Sequence, residues 1–127
     1  MNMEKGLSLE KEFVVENQHS AAKVASGAVN VLSTPSVVAF IENTSFELAQ
    51  KFMENGKTTV GFHIEVFHLA PVPLGEKVKV VSIIDDIKER KIKFIVTVYW
   101  KERKIAEGIH ERVIVIEDEF YKKISKL

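Results

Sequence analysis

Residues 34–56 read TPSVVAFIENTSFELAQKFMENG, a helix with both of its ends written into it. Thr34 is placed to cap the helix, with Pro35 at the first helical position, where a missing N–H costs nothing. At the far end Asn55-Gly56 supplies the left-handed residue that stops a helix. Projected at about 100° per residue from Val37, the residues Leu48, Ile41, Phe52, Ser45, Val38 and Ala49 fill one arc of about 120°. Glu47, Glu54, Asn43 and Gln50 fall on the opposite arc. A helix striped in this way must bury its apolar side against another element.

Downstream of Gly56 the period changes. Residues 58–69, 76–87, 91–101 and 104–117 are rich in Val, Ile, Phe and Thr, as strands are. In the third of these, Ile92, Phe94, Val96, Val98 and Trp100 alternate with Lys91, Lys93, Ile95, Thr97, Tyr99 and Lys101, which predicts a half-buried antiparallel strand with one wet face. The links at 71–75, 88–90 and 102–103 are short, so consecutive strands are expected to pair as hairpins. Upstream, residues 8–15 predict a first strand, and residues 16–33, rich in Ala, Ser, Val and Gly, a loop or short helix of small residues. The expected fold is α+β, one domain over residues 1–127, with a long helix wrapped by an antiparallel sheet.

Composition narrows the function classes. Hydrophobic residues make up 46%, enough for a core without staples, and there is no cysteine. Thiolate metal sites, cysteine nucleophiles and a secreted disulfide scaffold are excluded. The 18 basic and 18 acidic residues cancel, which disfavours nucleic acid as a partner. No apolar run approaches the roughly 20 residues that span a bilayer, so no membrane partner is expected. The opening Met-Asn-Met-Glu-Lys lacks the apolar core of a signal peptide, and the expected location is the cytoplasm.

Three polar residues interrupt the apolar pattern. Glu42 projects to about 140°, on the shoulder of the stripe between Ala49 and Met53, and Thr34 to about 60°, its middle. His68 closes the run Val60-Gly61-Phe62-His63-Ile64-Glu65-Val66-Phe67-His68 and shares a face with Phe62, Ile64 and Val66, while His63 and Glu65 take the other. A buried carboxylate or imidazole costs free energy unless paired, so these positions are candidate sites. A capping threonine, a glutamate paired with a Lys or Arg, and a satisfied core histidine are the bland alternatives. His63 and His110 read as polar-face residues and His19 as a loop residue. No two histidines have metal-ligand spacing on one face, so no metal is expected.

The order of these elements resembles the hotdog-fold thioesterases, in particular the fluoroacetyl-CoA thioesterase-like branch. The similarity covers roughly residues 30 to 116. It is carried by Val31-Leu32-Ser33-Thr34-Pro35, by Glu42, by Thr59-Val60-Gly61, by His68-Leu69-Ala70-Pro71 and by Gly108-Ile109-His110-Glu111-Arg112-Val113. The resemblance implies a catalytic constellation of Thr34, Glu42 and His68, with Gly61 lining the acyl pocket and Arg112 supporting the site. The fluoroacetate-selective member carries bulky aromatics before its threonine. Here Val24-Ala25-Ser26-Gly27-Ala28 has none, so thioester hydrolysis carries over and fluoroacetyl selectivity does not.

Eight helical residues separate Thr34 from Glu42, about 12 Å along the axis. Either His68 and substrate bridge them, or a second subunit completes the site, as the homodimers of hotdog proteins imply. The expected activity is hydrolysis of a small acyl-CoA thioester without metal or redox cofactor, coenzyme A entering as part of the substrate. Thr34 would be nucleophile or water-positioner, His68 general base and then acid, and Glu42 the orienting or assisting carboxylate. The rival readings are a non-catalytic domain binding acyl-CoA or another small ligand, and a hotdog dehydratase.

Overall fold

Helix α1 (Thr34–Gln50) lies against one face of a five-stranded, wholly antiparallel sheet in the computed structural model, which describes residues 2–127. The strands are β1 (Ser8–Val14), β2 (Lys57–His68), β3 (Lys77–Lys88), β4 (Lys91–Trp100) and β5 (Arg103–Ile116). A 3-10 turn at Asn17–His19 follows β1, and a short helix α2 (Glu117–Ile124) follows β5. No helix among the described residues is long and apolar enough to cross a membrane.

The strands were legible in their composition, but their pairing was not entirely so. The sheet order is β1-β3-β4-β5-β2. Hairpins join β3 to β4 and β4 to β5 as expected, through turns that place Glu89 and Lys101 at positive φ. The link at 71–75 is not a hairpin. β2 pairs with β5, and the chain must cross from that edge back to β3. Pro71 and Pro73 lack N–H groups, and the link bonds elsewhere: Leu32 N–H donates to Val72 O at 2.9 Å, and Val31 bridges Pro73. This crossing carries the chain around the N-terminal end of α1.

The core lies between α1 and the inner sheet face. Val37, Ile41, Leu48 and Ala49 pack there with Val80, Ile84, Ile92, Phe94, Val96 and Val98, all buried. Burying each large aliphatic side chain stabilises the fold by about 1.5–3 kcal/mol relative to leaving it exposed. Phe40, outside the projected arc, is buried by stacking on Phe13 of β1, ring centroids 4.3 Å apart. Inside this apolar layer Ser45 and Ser82 satisfy each other at 2.8 Å.

The helix ends differ from the sequence reading. Ser33, not Thr34, is the cap: its hydroxyl accepts the Ser36 N–H, and Thr34 is the first helical residue. The helix stops at Gln50, six residues before the left-handed Gly56 that leads into β2. A β-bulge between Gly61 and His63 also breaks the expected alternation of β2. Its extra residue, Phe62, is 49% exposed and does not share the face of Ile64, Val66 and His68.

Candidate active site

Because Ser33 caps α1, the Thr34 hydroxyl is left to reach across to the end of β2. Thr34 Oγ1 stands 2.8 Å from His68 Nδ1. His68 pairs with Ala106 of β5 in the last register position of β2, and the next residue, Leu69, donates its N–H to Ile105 O at 2.7 Å. The imidazole is thereby fixed between sheet and helix. Burial holds its pKa below the ordinary histidine value, with the Ala70 backbone pulling the other way. Its Nε2 is buried with no hydrogen-bond partner among the described residues.

Thr34 and His68 line an open cleft of about 310 Å³. Its other walls are small or aliphatic: Ala21 and Ser26 from the segment after the 3-10 turn, and Leu69, Ala70 and Pro71 from the crossing. That segment closes on itself, Ala21 N–H donating to Val31 O and Ser26 N–H to Ala21 O.

A second polar cluster lies further along α1 and β2. Gly61 pairs with Arg112, and the missing side chain makes room for three groups. A Cβ there would stand 3.0 Å from His110 Cε1, 3.1 Å from Glu42 Oε2 and 3.3 Å from Arg112 Nη1. Arg112 is buried and donates from Nε to Thr59 Oγ1 at 2.8 Å and from Nη2 to Thr59 O at 3.0 Å. Its guanidinium also lies over the Phe46 ring, 5.5 Å from the centroid. Burial lowers the Arg112 pKa while the Glu42 charge opposes it. Glu42 is half-buried and lines a cavity of about 210 Å³ with Gly61, Phe62, His63, Ile64 and His110.

Within one chain the five residues singled out in the sequence therefore fall into two groups. Thr34 and His68 are joined directly; Glu42, Gly61 and Arg112 converge elsewhere. The two cavities have no lining residue in common. Thr34 is exposed rather than sunk in the stripe, and Glu47, expected in solvent, is half-buried and paired with Lys11.

His110 corrects the sequence reading. It is no polar-face residue: it is 1% exposed, its Nδ1–H donates to His63 O at 2.8 Å, and its Nε2 lies 3.1 Å from Arg112 Nη1. The signal was available, because residues two apart on a strand share a face and Arg112 was already assigned to the site. His63 is on the outer face as expected, with Nδ1 2.7 Å from Glu111 Oε2. His19 closes the 3-10 turn, its Nδ1 accepting the Glu16 N–H. Among the described residues no three His, Asp or Glu side chains are grouped to hold a metal ion.

The family model described as fluoroacetyl-CoA-specific thioesterase, FlK, matches residues 15–118. Among solved structures, the fluoroacetyl-CoA thioesterase FlK superposes with a TM-score of 0.93 at 22% identity, covering 99% of this chain and 98% of that one. A thioesterase superfamily member from Thermus thermophilus gives 0.90 at 23% identity, covering 98% and 93%. A hot-dog-like protein from Thermanaerovibrio acidaminovorans gives 0.89 at 20%, covering 96% and 90%. No curated protein matches the sequence significantly.

Proposed function

We propose, for a chain that belongs to the fluoroacetyl-CoA-specific thioesterase family and is a thioester hydrolase of hotdog fold, that it hydrolyses a small acyl-CoA thioester through Thr34, His68 and Glu42. The observation that carries this reading is the 2.8 Å contact between Thr34 Oγ1 and His68 Nδ1 at the mouth of the cleft. A neutral imidazole with its proton on Nε2 accepts the threonine hydroxyl at Nδ1, which is the arrangement that activates a hydroxyl nucleophile. Burial keeps His68 neutral near pH 7, so the base is available.

The reaction then runs in two halves. Thr34 Oγ attacks the thioester carbonyl as its proton passes to His68, the C–S bond breaks, and the proton goes on to the leaving sulfur to give free coenzyme A. Water attacks the acyl-threonine carbonyl, a carboxylate taking the water's proton; the acyl C–Oγ bond breaks, that proton passes to Thr34 Oγ, and the acid is released with Thr34 and the carboxylate restored. The positive end of the α1 dipole lies at Thr34 and favours the charge developing on the carbonyl oxygen. No electrons are exchanged, so the chemistry calls for no redox cofactor.

Glu42, steadied by Arg112, is the carboxylate of the second half, contributed by a second copy. Two observations support this. Thr34 and Glu42 are about 12 Å apart along α1, and β2, an edge strand, pairs among the described residues only with β5. An unpaired edge of twelve residues is an aggregation liability that a two-fold dimer would cover. Sedimentation at micromolar concentration should show a dimer; a clean monomer that is fully active would remove Glu42 from the site.

The segment 24–28 brings no aromatic ring to the cleft, and Ala21, Ser26 and Ala70 leave its walls low. Selectivity for fluoroacetyl-CoA is accordingly not part of this proposal. Cytoplasmic localisation is, in keeping with a chain that has no cysteine. Free-thiol release from a panel of acyl-CoA thioesters, short to long and aryl included, tests the activity. Binding without thiol release would instead favour a non-catalytic ligand domain, and hydration of an enoyl-CoA a dehydratase. Rapid quench and mass spectrometry test the nucleophile: an acyl adduct on Thr34 assigns the attack to it, and full turnover without an adduct assigns it to holding water.

A further inference from the structure

His110 is the most deeply buried titratable side chain of the molecule's polar clusters, and the hydrolysis just outlined makes no use of it. Its two ring nitrogens face partners that can each play only one role. On one side is the His63 carbonyl, which only accepts, so Nδ1 carries the proton. On the other is the Arg112 guanidinium, which only donates, so Nε2 presents its lone pair. The imidazole is neutral, in one tautomer, and its ring is held against Phe94, centroids 6.1 Å apart.

Arg112 in turn is held at three of its nitrogens. Thr59 takes Nε and Nη2, and His110 takes Nη1, the nitrogen that shares the space over Gly61 with Glu42 Oε2. Thr59 and the Phe46 ring orient the guanidinium plane, and His110 is the acceptor at the Nη1 end, beside Glu42. We propose that His110 is a positioning residue: by accepting the Arg112 Nη1 hydrogen bond at Nε2, it fixes the guanidinium beside the Glu42 carboxylate and so sets that carboxylate for its step. The inference rests on the reading of Glu42 and Arg112 given above.

Acid would undo the arrangement. The charged or titratable groups near His110 are Arg112 on its own strand, Glu42 from α1 and the His63 imidazole of β2, whose carbonyl also faces it; β4 presents the uncharged Phe94 ring. A proton on Nε2 would set two donors face to face and put a second positive charge beside Arg112. Burial, the nearby Arg112 charge and the His63 ring oppose that proton, against the His63 carbonyl and Glu42.

The test uses the full chain and two variants, His110→Phe, which keeps a ring against Phe94 but accepts nothing, and His110→Gln, whose amide oxygen can still accept from Arg112. Nitrogen-15 spectra of wild type should show His110 protonated at Nδ1 and bare at Nε2, and an Arg112 Nη1–H signal protected from exchange. In His110→Phe that protection should be lost, and kcat should fall by about 10²-fold, the cost of misplacing a group by about 1 Å, with KM nearly unchanged. His110→Gln should recover protection and most of kcat. A wild-type His110 protonated at Nε2, unchanged kcat in His110→Phe, or a folded His110→Gln no better than His110→Phe would each overturn the proposal. If wild type hydrolyses no thioester, the functional reading fails by itself, and the tautomer and the Arg112 protection still decide whether His110 holds Arg112.

Discussion

Thr34 Oγ1 lies 2.8 Å from His68 Nδ1, so one hydrogen bond joins the first residue of α1 to the last residue of β2. That bond is the most direct target for substitution. His68→Ala should lower kcat on the preferred acyl-CoA by about 10²- to 10⁴-fold, the usual scale for a general acid–base group. Thr34→Ala should be comparable, and the double variant little worse than the poorer single one, because the pair acts as a unit. His63→Ala, on the outer face, should stay near wild type in the same assay. Equal rates for His68→Ala and wild type would discard the site.

Activity should rise with pH and level off below neutrality. Burial holds the His68 pKa beneath its ordinary value of about 6.5, and only the neutral ring accepts the threonine proton. The pH profile of kcat/KM should therefore show an acid limb with an apparent pKa under 6.5, lost in His68→Ala.

Stability should follow the same sign. His68 and His110 both have folded pKa values lowered by burial. The unfolded chain then binds more protons between the two values, so stability rises with pH there. The contribution is complete above about pH 6.5 and is lost as the pH falls through the folded values. Urea midpoints measured from pH 7.5 downward should decline, and less steeply for a folded His110→Gln.

Gly61→Ala separates crowding from folding. The new methyl would press on Glu42 Oε2, His110 Cε1 and Arg112 Nη1 at 3.0 to 3.3 Å, distances at which neighbours must give way. An overpacking cost of about 1–3 kcal/mol is expected, with a loss of turnover larger than that in His63→Ala. Thermal melts and kcat measured on the same sample would check both.

Gly108→Ala is a stronger perturbation of another kind. A Cβ at Gly108 would overlap Glu65 O, a backbone atom that cannot rotate aside. β2 approaches β5 so closely here that the two could not keep their register. Loss of about 4 kcal/mol or more, the upper end of single-substitution effects, is expected. A soluble variant with an unchanged melt would contradict the strand geometry.

Much of this architecture was readable because strands made of Val, Ile, Phe and Thr declare themselves by alternation, as Ile92 to Trp100 does. What alternation could not convey was which strand lies beside which, since Pro71-Val72-Pro73-Leu74-Gly75 is as short as a hairpin loop yet crosses the end of α1. The bulge at Phe62 leaves no mark in composition, because one extra residue shifts the phase without changing the residue types. Ser33 and Thr34 are both good caps, and only the Ser36 contact decides between them. Thr34, His68, Glu42, Gly61 and Arg112 all stood out in the sequence, whereas their division into two groups depends on where α1 and β2 meet in space.

The strand order also dictates a sequence of events in time. β3, β4 and β5 are joined by two-residue turns and can pair as soon as they form, while β2 must find β5 across the whole intervening chain. Distant pairings of this kind close late, because the loop between them must first be ordered. The Thr34–His68 contact needs α1 and β2 seated on this sheet, so it would form after the β3–β4–β5 hairpins. During refolding from urea, fluorescence from Trp100 on β4 should recover before thioesterase activity does, and the lag between them is the time the chain takes to seat α1 and its two edge strands.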